Sequence, residues 1–302
     1  MKTARLRTAR DLLRFAVNQF KQAGLSFGHG THNARDEAAY LVLHTLQLPL
    51  DQLEPFLDTP LNRKQITAVF NILRKRVTKK IPAAYLTNEA WLGDLRFYVD
   101  QRVIVPRSFI AELLRTRLKP WIKDVNSITA ALDLCTGSGC LAILIAHVFP
   151  NAVIDACDVS RSALTVAKRN ISDYGLENRI KLIRSDLFKA MRGRRYDLIV
   201  ANPPYVKAQA MCTLPKEYRH EPQFALDGGK DGLDYVRRIL QSAAGYLHKS
   251  GLLVVEIGHN RETLERAFPK TEFIWPETSA GDEYVFLIKH HQLSCLSPSQ
   301  NR

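Results

Sequence analysis

Strand-like and helix-like stretches alternate from Ile128 onward, and this alternation limits the fold more than any other feature of the chain. Short β-branched and apolar runs predict strands at Ala130–Leu134, Val153–Cys157, Lys181–Arg184, Leu198–Ala201, Leu252–Glu256 and Tyr284–Ile288. Longer stretches between them, Cys140–Val148, Ser162–Tyr174, Leu233–Leu247 and Glu262–Ala267, have helical spacing. Such a series predicts an α/β fold with a mostly parallel sheet and helices on both faces.

The amino-terminal part reads differently. Residues 1–80 have helical periodicity and almost no strand signal. Leu12, Leu13, Phe15, Ala16 and Phe20 form one apolar face, so the Arg-rich opening reads as a first helix rather than a transit segment. A second helix is predicted from Asp36 and a third over Ile66–Val77. The third ends in a basic cluster of Arg74, Lys75, Arg76, Lys79 and Lys80, favourable at a helix carboxyl end on dipole grounds alone. Trp91 to Val99 predicts two strands around Gly93-Asp94, with a further strand at Val103–Val105; Pro106 breaks it and a helix follows to about Leu118. The expected organisation is a helical domain at 1–84, a hairpin linker at 85–105, an α/β domain at 106–290 and a frayed tail at 291–302.

Composition excludes several classes. With 46% hydrophobic and 24% charged residues the chain is ordinary globular material. No apolar run approaches the roughly 20 residues of a membrane helix, so no membrane partner is expected. The five cysteines, Cys135, Cys140, Cys157, Cys212 and Cys295, include no C-x-x-C pair; they read as reduced thiols of a cytoplasmic protein with no metal site. Net charge is +13, unevenly placed. Residues 1–125 hold 21 basic and 11 acidic side chains, a balance of +10, and that field favours polyanionic partners.

Asp133-Leu-Cys-Thr136-Gly137-Ser138-Gly139 joins the first strand of the alternating part to a helix. Gly137 and Gly139 allow a tight turn and close approach of a ligand, and amides at the helix start would face it. Asp158 ends the next strand, where a carboxylate can accept ribose hydroxyls. Gly137-x-Gly139-x-x-Ala142 with Asp158 following also fits a dinucleotide fingerprint, so the loop indicates a nucleotide-type cofactor without choosing one.

Asn202-Pro203-Pro204-Tyr205 follows the fourth strand. The prolines fix the backbone and keep only acceptors, Asn202 adds a side-chain oxygen, and Tyr205 offers a flat face. These atoms suit a planar NH₂ group whose lone pair is delocalised. Acceptors on both hydrogens raise electron density at nitrogen, and they bind more strongly as nitrogen becomes positive during attack on a sulfonium methyl.

Together, Asp133-x-Cys-Thr-Gly-Ser-Gly, Asp158, Ser185-Asp186 and Asn202-Pro-Pro-Tyr205 resemble the S-adenosylmethionine-dependent class I methyltransferases. Residues 1–290 resemble the protein N5-glutamine methyltransferase family, with a helical amino-terminal domain for substrate recognition, a hairpin linker and a Rossmann-like catalytic domain. Ala83-Ala-Tyr-Leu86, Leu95-Arg-Phe-Tyr-Val-Asp100 and Val105-Pro106-Arg107-Ser108 resemble the branch acting on large-subunit ribosomal protein three. Glu221-Pro222 followed by Ala225-Leu-Asp-Gly-Gly229 occurs widely in the sister branch, which methylates release factors. The resemblance implies S-adenosyl-L-methionine as cofactor, contacted by Thr136, Gly137, Ser138 and Gly139, with Asp158 at the ribose and Asp186 near adenine. It implies Asn202, Pro203 and Tyr205 as catalytic and, with Pro204, as substrate-binding residues. Leu187 stands where some members carry an aromatic beside adenine. The implied substrate is a glutamine amide of a ribosomal protein, and the basic excess fits a protein that meets it near ribosomal RNA.

Three other functions suit parts of the same sequence. The N6 amine of adenine in DNA or RNA is also a conjugated NH₂, although no target-recognition domain is recognisable. A non-catalytic ribosome-assembly factor would use the fold as an RNA platform. An NAD-dependent oxidoreductase would use the glycine loop alone.

Overall fold

In the computed structural model, which describes residues 6–294, contacts separate a helical unit from a sheet unit. The helical unit is residues 6–101 with Leu214–Glu221, and the sheet unit is residues 102–213 and 222–294. Against the expected helical block at 1–84 and linker at 85–105, the hairpin groups with the helices, and eight residues from far along the chain join them.

The helical unit contains α1 (Ala9–Gln22), α2 (Ala34–Leu46), α3 (Arg63–Lys79), α4 (Ala83–Thr87) and the hairpin β1 (Glu89–Leu92) and β2 (Leu95–Tyr98). Thr8 caps α1: its hydroxyl accepts from Asp11 N at 3.2 Å, and the Asp11 carboxylate accepts from Thr8 N in return. Leu12, Ala16 and Phe20 of α1 then pack with Ala38, Leu41 and Val42 of α2 and Val69 and Leu73 of α3. Leu92 pairs with Leu95 across Gly93-Asp94, the two-residue turn that the sequence predicts.

The basic cluster at the end of α3 is not one surface feature. Arg74, Lys75 and Lys79 are exposed and Lys80 is half-buried, but Arg76 is only 1% exposed. Its Nε donates to Glu37 Oε1 at 2.6 Å, its Nη1 to Glu217 Oε1 at 3.1 Å and its Nη2 to the Ser26 carbonyl at 2.8 Å. Thr31 donates to Glu37 and Ser26 N to Glu217, so one cation and two carboxylates share a buried network. Burial pushes Glu37 above the usual carboxylate range even against Arg76. Burial acts on Glu217 the same way, but its hydrogen bonds, including those from Arg76 and Ser26, outweigh it and hold Glu217 low.

The sheet unit runs α5 (Ile110–Arg115), β3 (Ala130–Leu134), α6 (Cys140–Val148), β4 (Val153–Asp158), α7 (Arg161–Asp173), β5 (Ile180–Arg184), β6 (Tyr196–Ala201), α8 (Ala208–Met211), α9 (Asp234–Ala243), β7 (Leu247–Glu256), α10 (Arg261–Ala267), β8 (Val285–Lys289) and α11 (His290–Ser294). Strand order is β5-β4-β3-β6-β7-β8, parallel except for β8, which runs antiparallel to β7. This is the Rossmann-like α/β sheet read from the alternation. β3 and β6 are nearly continuous buried runs, as a sheet covered on both faces requires. The order reverses at β3, with β4 on one side and β6 on the other, which opens a crevice at the strand carboxyl ends.

Three local expectations need correction. Val103–Val105 forms no strand, although its alternate valines are buried. The helix after Pro106 ends at Arg115, because Arg117 and Leu118 adopt φ of +59° and +52°. The tail expected at 291–302 begins inside α11, where Leu293 is fully buried; residues 295–302, Cys295 among them, lie outside the described residues.

Candidate active site

Parallel register puts Leu134 beside Ala201, so the loops that leave β3 and β6 start next to each other. The β3 loop turns through left-handed φ at Cys135 (+58°), Gly137 (+54°) and Gly139 (+81°). A Cβ on Gly139 would lie 3.2 Å from the Ala167 Cβ, a tight contact between the start of α6 and α7, and the φ of +81° there also favours glycine. Asp133 ties the loop together from inside β3. Its Oδ2 accepts from Thr136 Oγ1 at 2.6 Å and from Ala142 N at 3.0 Å, and its Oδ1 is buried without a partner. Complete burial pushes Asp133 up to about 7.

Asp158 closes the other side. At the end of β4 its Oδ2 accepts from Gly137 N at 3.0 Å and its Oδ1 from Ser160 N at 2.8 Å. Burial raises its pKa, opposed by these amides. Asp186 is an ion-pair residue: Arg238 Nη2 and Lys189 Nζ each lie 2.7 Å from its oxygens and hold it below the usual carboxylate range. Leu187 follows at φ +50°, its carbonyl accepting from Ser185 Oγ at 2.6 Å.

After β6 the chain enters Asn202-Pro-Pro-Tyr205, where both prolines are buried and Asn202 is half-buried. Gly228 lies against this stretch: a Cβ there would come within 2.7 Å of Tyr205 Cα and 2.9 Å of the Pro204 carbonyl. Val206 N and Gly228 N donate to Leu226 O and Val206 O, both at 2.8 Å, and fix that contact. The Tyr205 hydroxyl donates to Glu256 at 3.1 Å, and Asn260 Nδ2 donates to the Tyr205 carbonyl at 2.8 Å.

A cleft of about 650 Å³, including its open mouth, lies over these strand ends. Of the residues expected from sequence it brings together Gly137, Asp158, Asp186, Asn202 and Pro204. Thr136 and Ser138 are buried in the loop, Thr136 turned toward Asp133. Gly139 packs on α7, Pro203 is buried, and Tyr205 turns its hydroxyl to Glu256. Arg107 donates to the Val105 carbonyl at 3.1 Å. Sequence reasoning missed Arg102, Phe224 and Tyr235, which also line the cleft. Phe224 lies inside the Glu221–Gly229 motif, which was a usable signal; nothing in the sequence pointed to Arg102 or Tyr235. Among the described residues no group of three or more His, Cys, Asp or Glu is placed to hold a metal ion, and no helix is long and apolar enough to cross a membrane.

The methyltransferase small domain model matches residues 112–216. A curated ribosomal protein uL3 glutamine methyltransferase from Neisseria meningitidis serogroup A is 58% identical over 288 residues, covering 95% of each chain. One from Burkholderia pseudomallei is 55% identical, covering 96% of this chain and 97% of that one. Among solved structures, the hMettl16 catalytic domain in complex with MAT2A 3'UTR hairpin 1 is 16% identical over 83% of this chain and 90% of that chain. Its TM-score is 0.51, a likeness of fold alone. By near full-length identity to several curated members, this chain is a methyltransferase belonging to the ribosomal protein uL3 glutamine methyltransferase family.

Proposed function

We propose that the protein transfers a methyl group from S-adenosyl-L-methionine to the side-chain amide nitrogen of a glutamine in ribosomal protein uL3. The observation that supports this reading is the shared cleft, lined by Gly137 and Asp158 and also by Asn202 and Pro204. The residues fit the cofactor. Each Asp158 oxygen accepts one amide and keeps a lone pair for a ribose hydroxyl. Leu187 and Val159 offer apolar surface to a base, with Asp186 at its edge. The Thr136–Gly139 turn presents its backbone to the remainder, and the unpartnered Asp133 oxygen beneath it can take a further donor. S-adenosylmethionine supplies, when bound, an electrophilic methyl on a sulfonium.

The chain's own atoms do the rest. Asn202 Oδ1 and the Pro203 carbonyl accept the two hydrogens of the glutamine amide and aim its nitrogen. With the cofactor bound, its methyl would pass from sulfur to the nitrogen so held, leaving S-adenosylhomocysteine as the second product. Nitrogen then loses one proton to water, and the Asn202–Pro203 acceptors stabilise the cation until it does. Tyr205 bounds the corner.

Purified uL3 incubated with this protein and methyl-tritiated cofactor should gain protease-sensitive, nuclease-resistant label. Mass spectrometry should find one added methyl on a glutamine. Label in adenine of RNA or DNA, with none in uL3, would transfer the site to the N6-adenine reading. Asp158→Ala should weaken cofactor binding about 10- to 100-fold by calorimetry, the range for losing hydrogen bonds to a charged group. An unchanged Kd would remove Asp158 from the cofactor site.

We also propose that uL3 is met in the cytoplasm beside ribosomal RNA. In support, α3 carries Arg63, Lys64, Arg74, Lys75 and Lys79 exposed and no acidic residue. Single-stranded RNA touching four of these would give a log–log salt slope of about −3. Glutamine at Lys64, Arg74, Lys75 and Lys79 should abolish most of it.

A further inference from the structure

Glu256 ends β7 and is 1% exposed. A carboxylate is almost never so buried unless paired, yet no Lys or Arg lies within ion-pair distance among the described residues. Three neutral donors satisfy it instead. Ser108 Oγ at 2.6 Å and Phe109 N at 2.9 Å share Oε2, and Tyr205 Oη at 3.1 Å takes Oε1. Burial pushes its pKa up, against these same donors.

The bond to Tyr205 acts beside two other restraints on that residue. A Cβ on Gly258 would lie 2.8 Å from Tyr205 Cε2, so the ring edge rests on bare backbone. Asn260 Nδ2 holds the Tyr205 carbonyl and the Ile257 carbonyl together, at 2.8 and 2.9 Å. Hydroxyl, ring edge and carbonyl are therefore all gripped by the segment that leaves β7. The register sets Val255 beside Ala201, which puts Glu256 one residue beyond the strand end from which Asn202 departs.

We propose that Glu256 is a positioning residue for methyl transfer, orienting Tyr205 and thereby the Asn202–Tyr205 corner. This rests on the reading of that corner as the amide site. Glu256 is not among the residues that line the cleft. It fixes the last residue of the corner by its one rotatable polar handle, and it joins that handle to Ser108 and Phe109 at the start of α5. Two carboxylate oxygens serve three donors at once. Glutamine in its place keeps its oxygen for Ser108 and Phe109 only by turning its NH₂ to the Tyr205 hydroxyl, whose proton then loses its acceptor.

The test is a double-mutant cycle in the full-length protein, with purified uL3 as substrate. Kcat, KM and the Kd for S-adenosylhomocysteine are read for Glu256→Gln, Tyr205→Phe and the pair, with Asn202→Ala alongside. Each single variant should lower kcat on the order of 10- to 100-fold, as loss of alignment does, with the Kd nearly unchanged. The pair should be no worse than Tyr205→Phe alone, because both changes break one connection. Multiplying effects, with Asn202→Ala strongly impaired, would overturn the role of Glu256 and leave the corner standing. Full activity in Asn202→Ala would overturn the corner and this proposal with it. Should Glu256→Gln fail to fold, Tyr205→Phe decides alone: wild-type kcat overturns the proposal.

Discussion

Asn202→Ala is expected to lower kcat by about two to three orders of magnitude, the effect of removing one directed group that stabilises transition-state charge. The amide nitrogen of glutamine is a poor nucleophile, and the acceptor on its hydrogen is worth most when nitrogen carries positive charge. The loss should therefore fall on kcat and on kcat/KM together, with KM for uL3 changing little. Asn202 lines the cleft but makes none of the bonds that shape the glycine loop, which rest on Asp133 and Asp158. Affinity for S-adenosylhomocysteine should then stay within about threefold, since no charged hydrogen bond is lost. Single-turnover rates and calorimetry separate the two quantities. Turnover close to that of the unaltered protein would remove Asn202 from the chemistry.

Arg76→Met should cost about 3–5 kcal/mol in the stability of the helical unit, the range for removing one partner of a buried ionic group. Methionine fills much of the volume, so the loss is electrostatic: Glu37 and Glu217, each 1% exposed, would face one another without a cation. The sign with pH follows. Without Arg76 its charge and its hydrogen bonds are lost, those from Thr31 and Ser26 N remain, and burial is expected to carry both folded-state pKa values above their unfolded values. A group raised in this way binds more protons when folded, so the variant recovers stability as pH falls and loses it as pH rises. Urea titrations of both proteins at pH 5 and pH 8, followed by circular dichroism, read this directly. An equal deficit at the two values would mean that shape, not charge, accounts for Arg76.

The legibility of the chain follows burial. β3 was readable to the residue because Ala131 to Leu134 are wholly buried and bounded by a glycine turn. β7 runs five residues further back than its apolar core suggests, since His248, Lys249 and Ser250 are exposed and hide the strand. Val103 and Val105 imitate a strand because alternate burial has the same period inside a strand and outside one. The loops after β3, β4 and β6 were readable as one site, since parallel alternation delivers their ends to one edge. Glu256 was not, because a carboxylate closing an apolar strand looks like the point where the strand meets water. Arg76 looked like its exposed neighbours, because the carboxylate that buries it at Glu217 stands 141 positions away.

Because Leu214–Glu221 packs with the helices, the helical unit is not a continuous piece of gene. A recombinant fragment that stops at residue 101 would leave Arg76 with Glu37 and the Ser26 carbonyl and take away Glu217. Grafting this unit onto another catalytic scaffold would take two insertions, the second only nine positions downstream of Tyr205. Inheritance should thus keep the helices and the stretch following Asn202-Pro-Pro-Tyr205 together, so that specificity drifts by point changes rather than by module exchange.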